Sequence, residues 1–121
     1  MGTAPSHTVP LTPLSTAILL ALAGKELHGY ALMQEVEAQS GGVLTPGTGT
    51  LYAALMRLLD DGLIQEGDRP PSDERRGRSY RISDAGRELV RAEAARLDGV
   101  LRLARAQGLG PDPELVSDGG V

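Results

Sequence analysis

Apolar residues recur along this chain in bursts of helical spacing, each bracketed by small or polar residues. The first burst runs through Leu14, Ala17, Ile18, Leu20, Ala21 and Leu22 behind Thr12-Pro13, and stops at Gly24. Threonine before proline is a helix-start signal, because the hydroxyl accepts a first-turn N–H and proline has none to satisfy. This helix is apolar on more than one face, which predicts burial both in its own domain and against a partner. Lys25-Glu26-Leu27 then reads as a short extended linker. A second helix opens at His28-Gly29-Tyr30, turns Tyr30, Leu32, Met33 and Val36 inward or semi-inward, and closes at Gly41-Gly42. The third lies within the stretch 44–64. Thr45-Pro46 repeats the start signal, Leu51, Leu55, Leu58 and Leu59 make one stripe, and Gly62 supplies a left-handed stop. Its first turn, Gly47-Thr48-Gly49-Thr50, is small, uncharged and polar while the rear is apolar, so the tip suits a groove. Two helices joined by a tight glycine turn, the second with such a tip, predict a helix-turn-helix.

Beyond Gly62 the period changes. Leu63-Ile64-Gln65-Glu66 and the alternating Arg78-Ser79-Tyr80-Arg81-Ile82 read as two strands. Residues 67–77 between them are too rich in proline, glycine and charge to be regular, which makes the pair a hairpin with a long basic tip. Ser83 caps a last helix reaching about Ala106, with Asp84 near its positive end. Val90, Ala94, Leu97, Leu101 and Ala104 fall at steps of four and three, with Leu89, Val100 and Leu103 widening that seam. At about 1.5 Å per residue such a helix spans roughly 34 Å, more than so small a domain needs for its own core. The surplus predicts a homodimer. The fold class expected is mainly α with a small β-hairpin: a winged helix-turn-helix plus a long C-terminal dimerisation helix. The expected divisions are a flexible arm (1–10), the DNA-binding domain (11–83), the dimerisation helix (84–106) and a disordered acidic tail (107–121).

Composition narrows the chemistry. Among 121 residues there is no Cys, Phe or Trp and only three Tyr, so the core is aliphatic and disulfides or thiolate metal sites are excluded. No cofactor and no metal are expected, and with two distant histidines and no carboxylate pair beside a base, neither is catalysis. The longest apolar run is too short to cross a bilayer, and the charged start of a signal peptide is missing, so a cytoplasmic location is expected. A net charge of −4 looks wrong for a polyanion binder, but its distribution does not. Before Arg69 the basic residues are Lys25 and Arg57; residues 69–81 then hold five arginines against Asp73 and Glu74. Positive charge is concentrated where the hairpin tip falls, which suits a local phosphate contact.

His28-Gly29-Tyr30, Gly49-Thr50-Leu51-Tyr52 with Leu55, Arg57 and Leu58, Gly62-Leu63-Ile64, residues 76–83 and Ala85-Gly86 together resemble the PadR-like family of bacterial transcriptional regulators. The resemblance covers residues 14–105 and is similar to the smaller branch with one C-terminal helix. It implies a homodimeric repressor on double-stranded DNA with an inverted-repeat operator. It also implies a possible small-molecule effector at the dimer interface. Some relatives stack flat ligands on a tryptophan of the C-terminal helix; this chain has no tryptophan, which argues against that mode here.

The expected DNA contacts are Thr45, Gly47, Thr48, Gly49, Thr50, Tyr52, Arg57, Arg75, Arg76, Arg78 and Tyr30. Thr48 and Thr50 offer hydroxyls to bases or phosphates, or alternatively cap the helix; Gly47 and Gly49 let backbone N–H groups approach a phosphate. Tyr52 and Tyr30 divide between phosphate contact and packing. Arginine in the wing suits phosphates or the minor groove. His28 reads as a structural histidine. The expected dimer interface is Leu14, Ile18, Val90, Ala94, Leu97, Val100, Leu101 and Ala104. The alternative function is a winged-helix protein-interaction module without specific DNA binding.

Overall fold

A computed structural model describes residues 11–67 and 77–111. The expectations for the arm, for most of the acidic tail and for Arg75 and Arg76 lie outside the described residues. Four helices, α1 (Pro13–Gly24), α2 (Gly29–Gln39), α3 (Thr48–Asp60) and α4 (Asp84–Ala106), are accompanied by strands β1 (Leu27–His28), β2 (Ile64–Glu66) and β3 (Ser79–Ile82). The chain divides into two compact units at Val90–Arg91, and each is treated by itself.

In the first unit α1 begins as its sequence dictates: Thr12 Oγ1 accepts from the Ser15 N–H at 3.0 Å, with Pro13 at the first helical position. Its buried Ile18, Leu19, Ala21 and Leu22 pack with Leu32 and Val36 of α2 and Leu51, Leu55 and Leu58 of α3. Leu63, Ile64, Tyr80 and Ile82 of the hairpin close this aliphatic core from the sheet side. Ile18 corrects an expectation. It is completely buried inside its own unit, so it has no surface to give a partner; Leu14 too is packed against this core.

The sheet holds three antiparallel strands, not two, in the order β1-β3-β2. Leu27 pairs with Tyr80 and His28 with Ser79, while Ile64, Gln65 and Glu66 pair with Ile82, Arg81 and Tyr80. The stretch read as a linker is therefore partly an edge strand, too short to show any alternation of its own. Ser79 Oγ donates to the Glu26 carboxylate, tying the start of that edge to the hairpin.

Helix α3 starts later than the Thr45-Pro46 signal suggests. Gly47 is the N-cap, extended at φ −73° and ψ 169°, and its carbonyl accepts from the Leu51 N–H at 2.9 Å. Thr45 and Pro46 thus precede α3, although the same dipeptide, Thr12-Pro13, starts α1. The far end follows the sequence closely. Gly62 takes φ 74°, its N–H reaches the Leu59 carbonyl at 3.0 Å, and the Leu63 N–H reaches the Leu58 carbonyl at 2.9 Å. This paired closure satisfies two orphan carbonyls and turns the chain straight into β2.

The start of α4 is fixed on that junction. Ser83 Oγ accepts from the Gly86 N–H at 3.0 Å and donates to the Gly62 carbonyl at 2.7 Å, while the Ser83 N–H bonds the Leu63 carbonyl at 3.1 Å. Gly86 leaves no room for a side chain, because a Cβ there would collide with the Leu63 carbonyl and lie 2.8 Å from Ile82 Cγ1.

The second unit is the rest of α4 with the residues after it. Glu93 is buried and clamped by Arg96 through two hydrogen bonds at 3.0 and 2.7 Å. Leu97, Val100 and Leu103 are exposed at 44%, 51% and 67%, an apolar line left in water. Of the other expected interface positions, Ala94 is exposed, Leu101 and Ala104 are half-buried, and Val90 lies in the first unit against the core.

Candidate nucleic-acid interface

The turn between α2 and α3 is built from backbone chemistry. The Gly41 and Gly42 N–H groups return to the Ala38 and Glu37 carbonyls at 3.1 and 2.9 Å, with Gly41 at φ 65°. Ser40 Oγ then donates to the Glu37 carbonyl at 3.1 Å and accepts from the Leu44 N–H at 2.9 Å. This short staple delivers α3 at a fixed angle to α2.

Leu51, Leu55 and Leu58 occupy one face of α3 and are buried. Thr48, Gly49, Thr50, Tyr52, Ala53, Met56 and Arg57 are all exposed. No side chain caps this helix, so neither threonine serves as its cap, and the first-turn N–H groups face outward under the positive end of the helix dipole. Gly47 and Gly49 have open space where a Cβ would stand, which leaves that backbone approachable. Arg57 stands in the last turn, where its charge also complements the dipole. Thr45 is exposed but lies outside the helix.

Tyr52 has a second role that its sequence context did not specify. Its ring lies on Gly29 at the first position of α2, so that a Cβ on Gly29 would come within 2.8 Å of Cζ and closer still to the hydroxyl. Two separate sequence motifs are one contact. A shallow cleft of about 110 Å³ beside it is lined by Gly29, Tyr30, Met33, Thr48, Leu51 and Tyr52. Tyr30 departs from the expectation of an inward position. It is 68% exposed, at the edge of that cleft, and its hydroxyl accepts from Gln34 Nε2 at 3.4 Å.

The hairpin meets the same tyrosine. Tyr80 is buried on β3, and its pKa is raised from the ordinary 10.0 by burial first, then by the Tyr52 phenol and Glu66, with Arg78 opposing. Arg78 is ion-paired with Glu66, both partners being exposed, and Arg81 Nε donates to Gln65 Oε1 at 3.2 Å. His28, 8% exposed, contributes its backbone to the sheet and leaves Nε2 without a hydrogen-bond partner. No group of three or more His, Cys, Asp or Glu is placed to hold a metal among the described residues.

Residues 18–92 match the family model described as transcriptional regulator PadR-like family. The chain belongs to the PadR-like family of transcriptional regulators. An uncharacterized 37.1 kDa protein in transposon TN4556 of Streptomyces fradiae is 44% identical over 85 residues, which cover 68% of this chain and 23% of that protein. The chain thus spans about a quarter of that relative's length. A PadR family regulator from Clostridium difficile R20291 has a similar fold, with TM-score 0.67 and 20% identity over 82% of this chain and all of that one. Bacillus subtilis PadR, solved in complex with operator DNA, gives TM-score 0.58 and 23% identity over 67% of this chain and 46% of that one. These likenesses establish a winged-helix fold of PadR-like type.

In this PadR-like chain the motif glycines mark close approaches: Gly29 beneath Tyr52 and Gly86 against Leu63. Ala53 and Met56, absent from the sequence-based contact set, share the exposed face of α3. Their signal was available, since the buried leucines of α3 determine which residues lie opposite.

Proposed function

We propose that this chain is a homodimeric DNA-binding repressor of an inverted-repeat operator, released by a small-molecule effector at the dimer interface. The observation carrying the reading is the one-sided burial of α3. Its leucine face is sealed in the core, while the second helix of a helix-turn-helix leaves a complete face and an uncapped tip to solvent. The operator complex of Bacillus subtilis PadR lends support through family membership.

In this reading first-turn amides, Thr48 and Thr50 meet phosphates and base edges, and Arg57 and Arg78 add backbone contacts with Arg75 and Arg76. Arg78 must exchange Glu66 for a phosphate, a swap between two exposed ion pairs that costs little. Leu97, Val100 and Leu103 supply a partner surface, and pairing sets two α3 helices one turn or more apart, about 34–36 Å per turn. The protein carries out no catalysis; it works by occupancy.

The test is titration of the chain's own upstream DNA at several salt concentrations. Affinity should fall steeply with salt, and Arg57→Ala should flatten the log–log slope by about one. Absence of binding at low salt rejects the repressor and favours the protein-interaction module, a reading motivated by the net charge of −4.

A further inference from the structure

We propose that α3 selects operator sites by touching thymine 5-methyl groups, with Met56 and Ala53 as the specificity-determining residues. The inference rests on the DNA-binding reading above and names what that helix reads. Helical spacing of about 100° per residue places Gly49, Ala53, Met56 and Asp60 directly opposite the line of buried leucines. All four are exposed, and Met56 holds 58% of its surface in water. Arg57 and Thr50 stand to one side of this outermost line and Tyr52 to the other.

Gly49 has no side chain, Ala53 carries only a methyl, and Met56 has no donor and only a weak thioether acceptor. The C5 methyl of thymine is the one apolar group that projects from the base edges into the major groove, whereas purine N7, guanine O6, thymine O4 and the adenine and cytosine amino groups each require a hydrogen bond. An apolar line laid against purine N7 and O6 or cytosine N4 strips water from those atoms and returns nothing. Laid against a thymine methyl, it buries apolar surface on both partners. Gly49 and Ala53 keep the helix surface low enough for close approach, and Met56 supplies an adaptable arm with several rotamers. Asp60 ends the line with a charge that phosphates repel, so the part that enters runs from the tip through Met56.

The experiment uses the full-length protein and a duplex it selects from a random pool. That duplex is resynthesised with deoxyuridine at one thymidine at a time, which deletes the methyl and leaves pairing and hydrogen-bonding groups unchanged. Affinity should fall about fourfold for each methyl touched. Met56→Ala should lose most of that discrimination at one position per half-site while keeping the wild-type salt slope, since phosphate contacts are untouched. Any effect of the methyl on DNA shape is common to both proteins, and the difference between them isolates the contact. Equal affinity for thymidine and deoxyuridine duplexes at every position overturns the inference alone. Undiminished discrimination by Met56→Ala overturns the assignment to Met56. A protein that retains no duplex at low salt removes the inference together with the DNA-binding reading.

Discussion

Replacing Gly29 by alanine should cost far more than one added methyl suggests. The new Cβ would stand 2.8 Å from Tyr52 Cζ, nearer still to the hydroxyl, whereas carbon atoms rest at about 3.5–4.0 Å. The ring must retreat by about 1 Å, away from a seat where more than half of it is buried, Tyr52 being 41% exposed. Overpacking of this kind costs about 1–3 kcal/mol, and the lost flexibility of the unfolded glycine returns about 0.4–1 kcal/mol. The net expectation is a loss of about 1 kcal/mol, within a range of about 0–2.6 kcal/mol, each kcal/mol lowering Tm by roughly 4–8 °C in a domain of this size. The assay is thermal and denaturant unfolding at one fixed protein concentration, because pairing of chains would make stability concentration-dependent. The cycle is completed with Tyr52→Leu, which removes the ring. In that background Gly29→Ala should be neutral or stabilising, giving a coupling of about 1 kcal/mol or more between the two positions. Equal cost in both backgrounds would refute the reasoning, since the penalty would then have nothing to do with the ring.

Other outcomes follow from the same geometry. Ser83→Ala should destabilise the first unit by about 1–2 kcal/mol in denaturant unfolding, because it deletes both the α4 cap and the bond to the Gly62 carbonyl. Leu97→Asp should leave helicity unchanged, its site being 44% exposed, yet convert the proposed dimer to monomer in sedimentation at micromolar concentration. A monomeric wild type would refute that assignment. Tyr80 favours its neutral form when folded, so its contribution to stability is complete below pH 10.0 and is lost as pH rises through its higher folded-state pKa. A tyrosinate absorbance titration should show one late phenol that vanishes in Tyr80→Phe.

Local signals carried most of the architecture. Thr12-Pro13, Gly24, Gly41-Gly42, Gly62 and Ser83 act within one turn of their own positions, and helix and strand limits fall close to them. Failures share a cause: each depends on something distant in sequence. Strand β1 exists because Ser79 and Tyr80 lie beside it, and nothing within its two residues announces that. Tyr30 has the same period as Leu32 and Met33, but only the position of neighbouring helices decides which side is wet. Ile18 reads as a partner contact because α1 is apolar on more than one face, whereas the core of its own unit already buries it completely. In the candidate site, the helix and its small tip were legible from spacing and composition. The ring of Tyr52 on Gly29 was not, because pattern alone does not say which glycine faces which side chain.

The junction at Gly62 and Leu63 has a mechanical consequence. Two hydrogen bonds from Ser83 to the Gly62 and Leu63 carbonyls, together with a glycine too crowded to accept a side chain, join the capped start of α4 to the turn that closes α3. A tilt imposed on the beginning of α4 is passed to the far end of α3, twelve residues from its tip, as the motion of a lever about its fulcrum. Within this unit, the angle at which α3 is presented and the seating of the first turn of α4 are coupled.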